Sequence, residues 1–369
     1  MGLGKPDDGL AATPPMGWNS WNRFGTKVDE ALVRETAEAI VATGMREAGY
    51  RYVVIDDGWE AGERDAHGDL VADPAKFPHG IRAVADHVHA LDLRFGIYTD
   101  AGTNTCQGLP ASLGYEFRDA RRFAEWGVDY VKVDWCHTNG LGPRALYAKW
   151  ALAIAAAERP IVLSICEWGR SRPWEWAPSV GHLWRTCWDI QDTWASLTGV
   201  LDRQAGLYSY AGPSHWNDPD MLEIGNGGMT ALEYRTHLGL WAMLAAPLMA
   251  GNDLRTMTDE TRALLSAPEV LAIDLDPLGR QARRVRASDG AEVWVRDLAG
   301  GAQAVALANR DDCAREIAVE WTDLGLPAGT IRGVRDLWLR EDVGHLRDGH
   351  AISVPPHDTA LLRIAAPLG

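Results

Sequence analysis

Apolar and polar positions follow two different periods along the chain. From Pro14 to about Ile273, short apolar runs typical of buried strands alternate with longer amphipathic segments typical of helices. The predicted strands are Pro15–Trp18, Tyr52–Ile55, Arg94–Thr99, Tyr130–Val133, Ile161–Ile165, Leu183–Cys187, Ser214–Asn217 and Leu248–Gly251. Eight strands alternating with helices over roughly 260 residues are typical of a (β/α)8 TIM barrel, which belongs to the α/β class.

The helical segments between these strands carry their apolar residues mostly on one face. In Asp29–Ala48 the face includes Leu32, Ile40 and Met45, and Asp29 is placed to cap the first turn. The other predicted helices are Ile81–Leu91, Gly114–Trp126, Arg144–Glu158, Ala195–Gly206 and Ala231–Ala245.

The period changes after Ile273. Short alternating runs separated by Gly, Asp and Asn turns predict strands, without any helical period. These runs are Gln281–Val285, Glu292–Asp297, Ala302–Ala308, Ala314–Glu320, Gly333–Leu339 and Thr359–Ile364. We therefore expect two domains, a catalytic barrel over residues 12–275 and a small antiparallel β-sandwich over residues 276–367.

Charge and composition exclude several classes of partner. A net charge of −15 argues against nucleic acid and anionic membranes, since both need local positive charge. No apolar run reaches the roughly 18 residues of a membrane span, and Met1–Leu10 does not resemble a signal peptide. The expected location is therefore cytoplasmic, or secreted with the signal lying outside this sequence. Seventeen Trp against five Phe suit stacking on sugars, although most Trp in any protein are core residues.

Catalytic groups of a TIM barrel lie at the carboxyl ends of its strands. Here nearly every predicted strand ends in a carboxylate beside an aromatic residue. Such a pocket suits a neutral polyol, whose hydroxyls donate to carboxylates while its C–H face stacks on Trp. The adjacent pair Asp56 and Asp57 could otherwise be a solvated turn or a metal site, but it follows a buried run and so belongs at the barrel mouth.

Asp134 is the candidate nucleophile. Lys132 lies two residues earlier on the same strand, so both side chains point into the barrel. A nearby ammonium favours the ionised carboxylate that a glycosyl nucleophile requires. A simple ion pair at the strand end explains the same spacing, and the local sequence does not decide between the two.

Asp189 is the candidate acid/base. It stands in the segment Trp184–Asp192, where apolar neighbours would raise its pKa and keep it protonated, as a general acid needs. Asp192 is a rival for this role, and either residue could instead cap the helix that begins near Trp194. We assign the cap to Asp192 and the chemistry to Asp189.

Six motifs then resemble those of glycoside hydrolase family 27. In family order they are Met16–Trp21, Ile55–Trp59, Gly96–Gly102, Trp126–Asp134, Cys166–Gly169 and Trp216–Leu222. The family contains α-galactosidases, α-N-acetylgalactosaminidases, β-L-arabinopyranosidases and isomaltodextranases. The resemblance covers about residues 12–275, and the C-terminal β-sandwich fits it as well.

The resemblance implies a role for each matching residue. Asp134 matches the nucleophile and Asp189 the acid/base of a retaining exo-glycosidase. Asp56 and Asp57 match carboxylates that hold O4 and O6 of a galactose-type ring, and Glu167 lies near the 2-substituent. Cys106 and Cys136 match a disulfide near the active site, and the remaining pocket positions are Trp18, Tyr98, Lys132, Arg185 and Asp220.

Two departures from the family pattern stand out. Gly25 and Gly58 replace the Cys pair of a second disulfide, and the segment 169–176, which shapes the 2-substituent pocket, differs from animal enzymes. We expect an α-galactosidase without cofactor or metal, acting on galactosides; the other family specificities are alternatives. A metal-dependent lyase or isomerase and a non-catalytic sugar-binding protein remain as alternatives from other classes, and no oligomeric state is predicted.

Overall fold

The computed structural model describes residues 8–367, and its first part is a parallel eight-stranded barrel. The strands are β1 (Met16–Asn19), β2 (Tyr52–Val54), β3 (Arg94–Asp100), β4 (Tyr130–Asp134), β5 (Val162–Ile165), β6 (Leu183–Arg185), β7 (Trp216–Asp218) and β8 (Leu248–Ala250). From β1 to β7 each strand pairs in parallel with the next one in the chain, and β1 also pairs in parallel with β8. The predicted barrel is confirmed, with strand ends displaced by at most two residues.

The barrel closes through the residue Leu222, which lies beyond the end of β7. Its amide donates to the Met249 carbonyl (2.8 Å), and its carbonyl accepts from Gly251 N (2.9 Å). This bridge removes the free edges that an open sheet would expose.

Ten α-helices accompany the strands. They are α1 (Trp21–Phe24), α2 (Glu30–Ala42), α3 (Met45–Ala48), α4 (Gly80–Ala90), α5 (Glu116–Trp126), α6 (Pro143–Ala156), α7 (Trp194–Gln204), α8 (Ala231–Met243), α9 (Asp259–Leu265) and α10 (Pro268–Asp274). Asp29 caps α2 as predicted, its side chain accepting from Leu32 N at 2.8 Å. None of the helices among residues 8–367 has the length and apolarity needed to cross a bilayer.

The helix predicted over Asp29–Ala48 is two helices, so that prediction was wrong in its extent. Gly44, between α2 and α3, has a φ of 80°, a left-handed conformation that ends a helix. The apolar face continues across the break because Met45 is still buried, which is why the periodicity concealed it. Helices α9 and α10 were not predicted.

The C-terminal part is a two-layered antiparallel β domain. Its strands are β9 (Arg283–Ser288), β10 (Ala291–Asp297), β11 (Gln303–Asn309), β12 (Arg315–Glu320), β13 (Ile331–Asp336), β14 (Glu341–Arg347), β15 (Gly349–Val354) and β16 (Thr359–Ile364). Six form a sheet in the order β14-β13-β16-β11-β10-β9, and β12 pairs with β15. The sequence did not predict β14, whose side chains are mostly exposed, or β15, whose side chains are mostly exposed or partly exposed.

Alternating residues of β10 join the two domains. Val293 and Val295 belong to the core of the sandwich, whereas Trp294 between them packs in the core of the barrel. Strand β11 shows the same alternation, with small residues toward the barrel. Successive side chains of a strand point to opposite faces, so the six-stranded sheet contributes to two cores at once.

Candidate active site

The carboxyl ends of the barrel strands bring most of the predicted site residues together. Asp56, directly after β2, accepts from Lys132 Nζ (2.8 Å) and from Asn19 Nδ2 (2.7 Å) through the same oxygen. Burial alone lowers the pKa of Lys132, but the attraction of Asp56 and further anionic groups raises it well above its ordinary value. Lys132 is therefore charged and fixed, with Asp56 as its ion-pair partner.

Asp57 presents an unused acceptor. Its Oδ2 accepts from the backbone amide of Gln107 (3.0 Å), whereas its Oδ1 is buried and has no hydrogen-bond partner. Burial, with a contribution from the neighbouring Asp56, raises the pKa of Asp57 to about 6 despite hydrogen bonds from Thr105 and Gln107. An unpartnered buried oxygen in a site of this kind is suited to a donor from a ligand.

Asp134 ends β4 and is 6 % exposed. Its Oδ1 accepts from the amide of Trp135 (2.9 Å), and its Oδ2 accepts from the Tyr98 hydroxyl (3.2 Å). Burial raises the pKa of Asp134, Lys132 opposes this, and Asp56 adds to it, so the net direction is upward. The attraction of Lys132 expected from the sequence is present, but it does not prevail.

Asp189 lies in the loop after β6. Its side chain is 63 % exposed, and its Oδ1 pairs with Arg185 Nη2 at 2.9 Å. Arg185 also pairs with Asp220 through Nη1 at 3.1 Å. Partial burial raises the pKa of Asp189, but the Arg185 guanidinium outweighs it and the net direction is downward.

The two candidate catalytic carboxyls are therefore ordered opposite to the expectation. We predicted a low pKa for Asp134 and a high one for Asp189, because the apolar residues around Asp189 in the sequence suggested burial. In the fold the Asp189 side chain is instead largely exposed, and Arg185 donates a hydrogen bond to its carboxylate. The pair has two singly protonated forms. Without a ligand, the form with Asp134 ionised and Asp189 protonated is therefore the less populated of the two.

Asp192 does not cap a helix, so that prediction was wrong. The cap of α7 is Thr193, whose side chain accepts from Ser196 N. Asp192 instead accepts hydrogen bonds from the Tyr234 hydroxyl and from Gly228 N.

Trp18 does not offer a surface to a sugar, contrary to the prediction. It is fully buried, its indole N–H donates to the Asn252 carbonyl (2.9 Å), and its ring packs on Phe24. Trp18 is on β1 itself, below the mouth, so its ring fills the barrel core. Trp21, at the start of α1, retains some exposed surface at the mouth.

Glu167 is also enclosed. Its Oε2 accepts from Ser171 N (2.8 Å), while Oε1 is buried without a partner. Burial raises the pKa of Glu167 to about 7. The loop that follows packs closely on the end of β6: a Cβ on Gly169 would lie 2.1 Å from the Thr186 carbonyl oxygen, so this position has no room for a side chain.

A disulfide joins Cys106 and Cys136 beside Asp134, as the resemblance implied. The amide of Cys136 donates to Asp100 Oδ2 (2.8 Å), and burial followed by the charge of Asp134 raises the pKa of Asp100 to about 8. These four side chains lie close enough to hold a metal ion, but the two sulfurs are bonded to each other and cannot serve as thiolate ligands. The remaining cysteines are free, and they are Cys166, Cys187 and Cys313.

Three residues that contribute to the site were not predicted from the sequence. Asn19 holds Asp56, the amide of Gln107 holds Asp57, and Tyr234 holds Asp192. Asn19 could have been found, since it follows β1 at the same end as the carboxylates. Gln107 acts through its backbone and Tyr234 comes from a distant helix, so no local pattern indicates either.

Comparisons with known proteins agree with this geometry. Residues 13–276 match the family model described as "Alpha galactosidase A", and residues 288–364 match "Alpha galactosidase C-terminal beta sandwich domain". The "Alpha-galactosidase A" of Cellvibrio japonicus is 46 % identical, covering 96 % of this chain and 93 % of that protein. Among solved structures, α-galactosidase I of Mortierella vinacea superposes with a TM-score of 0.95 at 36 % identity, covering 98 % of each chain. The Saccharomyces cerevisiae α-galactosidase solved with raffinose has a TM-score of 0.93 at 29 % identity, covering 98 % of this chain and 99 % of that one.

The protein is a TIM barrel with a cluster of carboxylates at its mouth, followed by an antiparallel sandwich. Together with the family match, this architecture and site place it among the glycoside hydrolases. Both family matches and the relatives agree on one family within that class. The chain belongs to the α-galactosidase family, glycoside hydrolase family 27.

Proposed function

We propose that the chain hydrolyses terminal α-D-galactosyl residues of oligosaccharides or glycoconjugates, with retention of anomeric configuration. The observation that carries this proposal is the placement of two carboxyls in different surroundings. Asp134 is buried at the end of β4, whereas Asp189 is largely exposed and paired with Arg185. A retaining glycosidase requires two carboxyl groups beside the glycosidic bond, one as nucleophile and one as acid/base.

In the proposed reaction, Asp134 attacks the anomeric carbon while Asp189 protonates the departing glycosidic oxygen. A covalent glycosyl–enzyme forms, and Asp189 then removes a proton from the water that releases the sugar. Tyr98 donates to Asp134 and orients it, since its hydroxyl lies 3.2 Å from Oδ2. The two carboxyl groups of a retaining enzyme are expected to lie about 5–5.5 Å apart.

Asp56 and Asp57 are proposed to recognise O4 and O6 of the galactose ring. Asp56 is held by Lys132 and Asn19, and Asp57 Oδ1 has no hydrogen-bond partner among residues 8–367. A hydroxyl of the sugar would satisfy that oxygen. β-L-Arabinopyranose lacks the hydroxymethyl group that carries O6, so it would leave one carboxylate of this pair without its donor.

Glu167 is proposed to lie near the 2-substituent and to favour an unmodified hydroxyl. Its Oε1 has no partner and could accept from a 2-hydroxyl, whereas an N-acetyl group needs more room. Glu167 Oε2 is already bound by Ser171 N (2.8 Å), which holds the carboxylate against this loop. The preference is therefore for galactose over N-acetylgalactosamine.

The test is a comparison of three nitrophenyl glycosides: the α-galactoside, the α-N-acetylgalactosaminide and the β-L-arabinopyranoside. We expect the α-galactoside to have the largest kcat/KM, and proton NMR of the first-formed sugar to show the α-anomer. A higher kcat/KM for either other glycoside would overturn the assigned sugar. A first-formed β-anomer would overturn the retaining mechanism.

We also propose dividing the chain into a catalytic barrel over residues 12–275 and a sandwich over residues 276–367. The last barrel helix ends at Asp274, and the first sandwich strand begins at Arg283. Every proposed catalytic and sugar-binding side chain precedes this boundary, so the proposed reaction is assigned to the barrel.

A further inference from the structure

Asp189 lies on a short loop that we call the acid/base loop, residues 189–193. Its carboxylate is exposed and pairs with Arg185, so its position depends on that ion pair and on the backbone of the loop that carries it. Two amides of the loop donate to side chains outside it: Ile190 N to Asp220 Oδ2 (2.8 Å), and Gln191 N to Ser196 Oγ (2.9 Å). The first bond attaches the loop to the segment after β7, and the second attaches it to α7.

A further attachment comes from α8 and the segment before it. The Tyr234 hydroxyl donates to Asp192, with oxygens 2.8–2.9 Å away, and also accepts from Gly227 N at 2.6 Å. Gly228 N donates to Asp192 Oδ2 (2.5 Å). At Gly228 a Cβ would lie 2.1 Å from the Asp192 carbonyl oxygen, so only glycine permits this close approach.

The sandwich domain reaches the same place through His357, in the turn between β15 and β16. The His357 ring stacks on Trp194, with ring centroids 4.4 Å apart and planes at 16°. Trp194 is the first residue of α7 and directly follows the acid/base loop. His357 Nδ1 also lies 2.8 Å from an oxygen of Glu233, the residue before Tyr234 in α8.

The turn that carries His357 is itself attached to α8. Thr236 Oγ1 donates to the His357 carbonyl (2.8 Å), and Arg235 pairs with Asp358. The backbone of His357 has a φ of 57°, a conformation that non-glycine residues rarely adopt. Glu233, Arg235 and Thr236 in the first two turns of α8 therefore bind the sandwich, while Tyr234 binds the acid/base loop.

We infer that Tyr234 and the sandwich residue His357 are positioning residues that hold the acid/base loop, and through it Asp189, in place. This assigns the sandwich domain a part in catalysis, although it contributes no group to the sugar pocket. The inference rests on the proposed role of Asp189 as acid/base.

Misplacement of an acid/base has a signature that general loss of structure lacks. Protonation of the leaving oxygen matters for a poor leaving group and little for an activated one such as 2,4-dinitrophenolate. Activation of water in the second step also fails, but azide needs no base and can attack the glycosyl–enzyme instead. If only Asp189 is misplaced, activity is therefore restored when the substrate has an activated leaving group and azide is present.

The experiment compares Tyr234→Phe and His357→Ala with Asp189→Ala and with the wild type. Each is assayed on phenyl and 2,4-dinitrophenyl α-galactosides, with and without azide, and its Tm is measured. The matched control is Arg335→Ala, which removes a different contact between the domains, the ion pair with Glu269 at 2.7 Å. His357→Phe retains a ring that can stack on Trp194 and serves as the conservative variant.

We expect Tyr234→Phe and His357→Ala to reduce kcat/KM for the phenyl galactoside by about tenfold or more, since small misplacements of a catalytic group have large effects. Activity on the dinitrophenyl galactoside with azide should stay within about twofold of the wild type by the same reasoning. His357→Phe should retain most of the phenyl galactoside activity, and Arg335→Ala should show no dependence on the leaving group.

The outcomes separate the two proposals. If Asp189→Ala shows this signature and the two positioning variants do not, the inference is wrong and the proposed function stands. The inference is also wrong if Arg335→Ala gives the same leaving-group dependence as His357→Ala. If Asp189→Ala lacks the signature, the assignment of Asp189 as the acid/base is wrong, and so is the inference that rests on it.

Discussion

The two sides of the candidate active site are built differently. On the side of β2 to β4, the carboxylates are buried and receive hydrogen bonds from strands or from residues directly beside them, as Asp56 does from Lys132 and Asn19. On the side of β6, Asp189 is largely exposed, lies on a loop and pairs with Arg185 alone. In the proposed function the buried side recognises the sugar, because hydrogen bonds such as those to Asp56 hold its acceptors in place. The exposed side is proposed to face the leaving group, which varies among substrates.

This difference also explains the direction of the pKa shifts. Burial is the largest influence on both Asp134 and Asp189, and it raises the pKa of each. Only Asp189 has an arginine within hydrogen-bond distance, so only there is the effect of burial overcome. Filling the pocket with a sugar removes water from Asp189, which should raise its pKa toward the protonated form that an acid needs.

The largest expected effect is that of Asp134→Ala. Because this substitution removes the proposed nucleophile from the buried side, kcat should fall on the order of 10⁴-fold or more on every leaving group. Steady-state kinetics on the phenyl and dinitrophenyl galactosides check this, with circular dichroism to confirm folding. Appreciable turnover by a folded Asp134→Ala protein would remove Asp134 from the role.

Next in size is Lys132→Met. The substitution leaves Asp56 buried without its cation, so kcat/KM for the nitrophenyl galactoside should fall roughly a hundredfold, mainly through weaker binding of the sugar. The control is Lys149→Met, since Lys149 pairs with Glu116 between α5 and α6, outside the pocket. Equal effects of the two substitutions would show that the Lys132–Asp56 pair has no special part in recognition.

A smaller effect is expected for Asp57→Ala, which sharpens the role of the buried side in choosing the sugar. Loss of the acceptor for O6 should lower kcat/KM for the α-galactoside by about a hundredfold and change that for the β-L-arabinopyranoside much less. The ratio of the two kcat/KM values is the measurement. A ratio identical to that of the wild type would contradict the assignment of Asp57 to O6.

The smallest effect concerns stability and pH. Burial and Asp134 raise the pKa of Asp100 to about 8, so the native protein retains a proton that the unfolded chain releases near its ordinary pKa of about 4. The native state therefore binds more protons over this interval, and the free energy of unfolding should fall as pH rises from about 4 to about 8.

The substitution Asp100→Asn removes this contribution. Between pH 5 and pH 8 the free energy of unfolding of the variant should decrease less than that of the wild type, by roughly 3 to 4 kcal/mol. Urea unfolding at the two pH values measures the difference. A decrease of equal size in both proteins would show that Asp100 does not retain its proton at neutral pH.

Much of the fold and the chemistry could be predicted from the sequence. Each barrel strand is a short run bounded by polar residues, and carboxyl ends of parallel strands share one face, so Asp56, Asp134 and Asp220 were expected at one mouth. Strands β14 and β15 were missed because few of their side chains are buried. Trp18 was misassigned because an aromatic residue near a strand end has the same local signal whether it fills the barrel or lines the pocket.

The sequence by itself determined which residue types are available at the mouth of the barrel, since periodicity and chain order decide which residues end the strands. Only the tertiary structure decided how they are paired. Lys132 binds Asp56, which is 76 residues away in the chain, rather than acting mainly on Asp134 two residues away. Likewise Asp192 binds Tyr234, 42 residues away, instead of capping the helix beside it. The physical reason is that charge and hydrogen bonding depend on distance in space, and a closed barrel makes neighbours of residues that no local pattern connects.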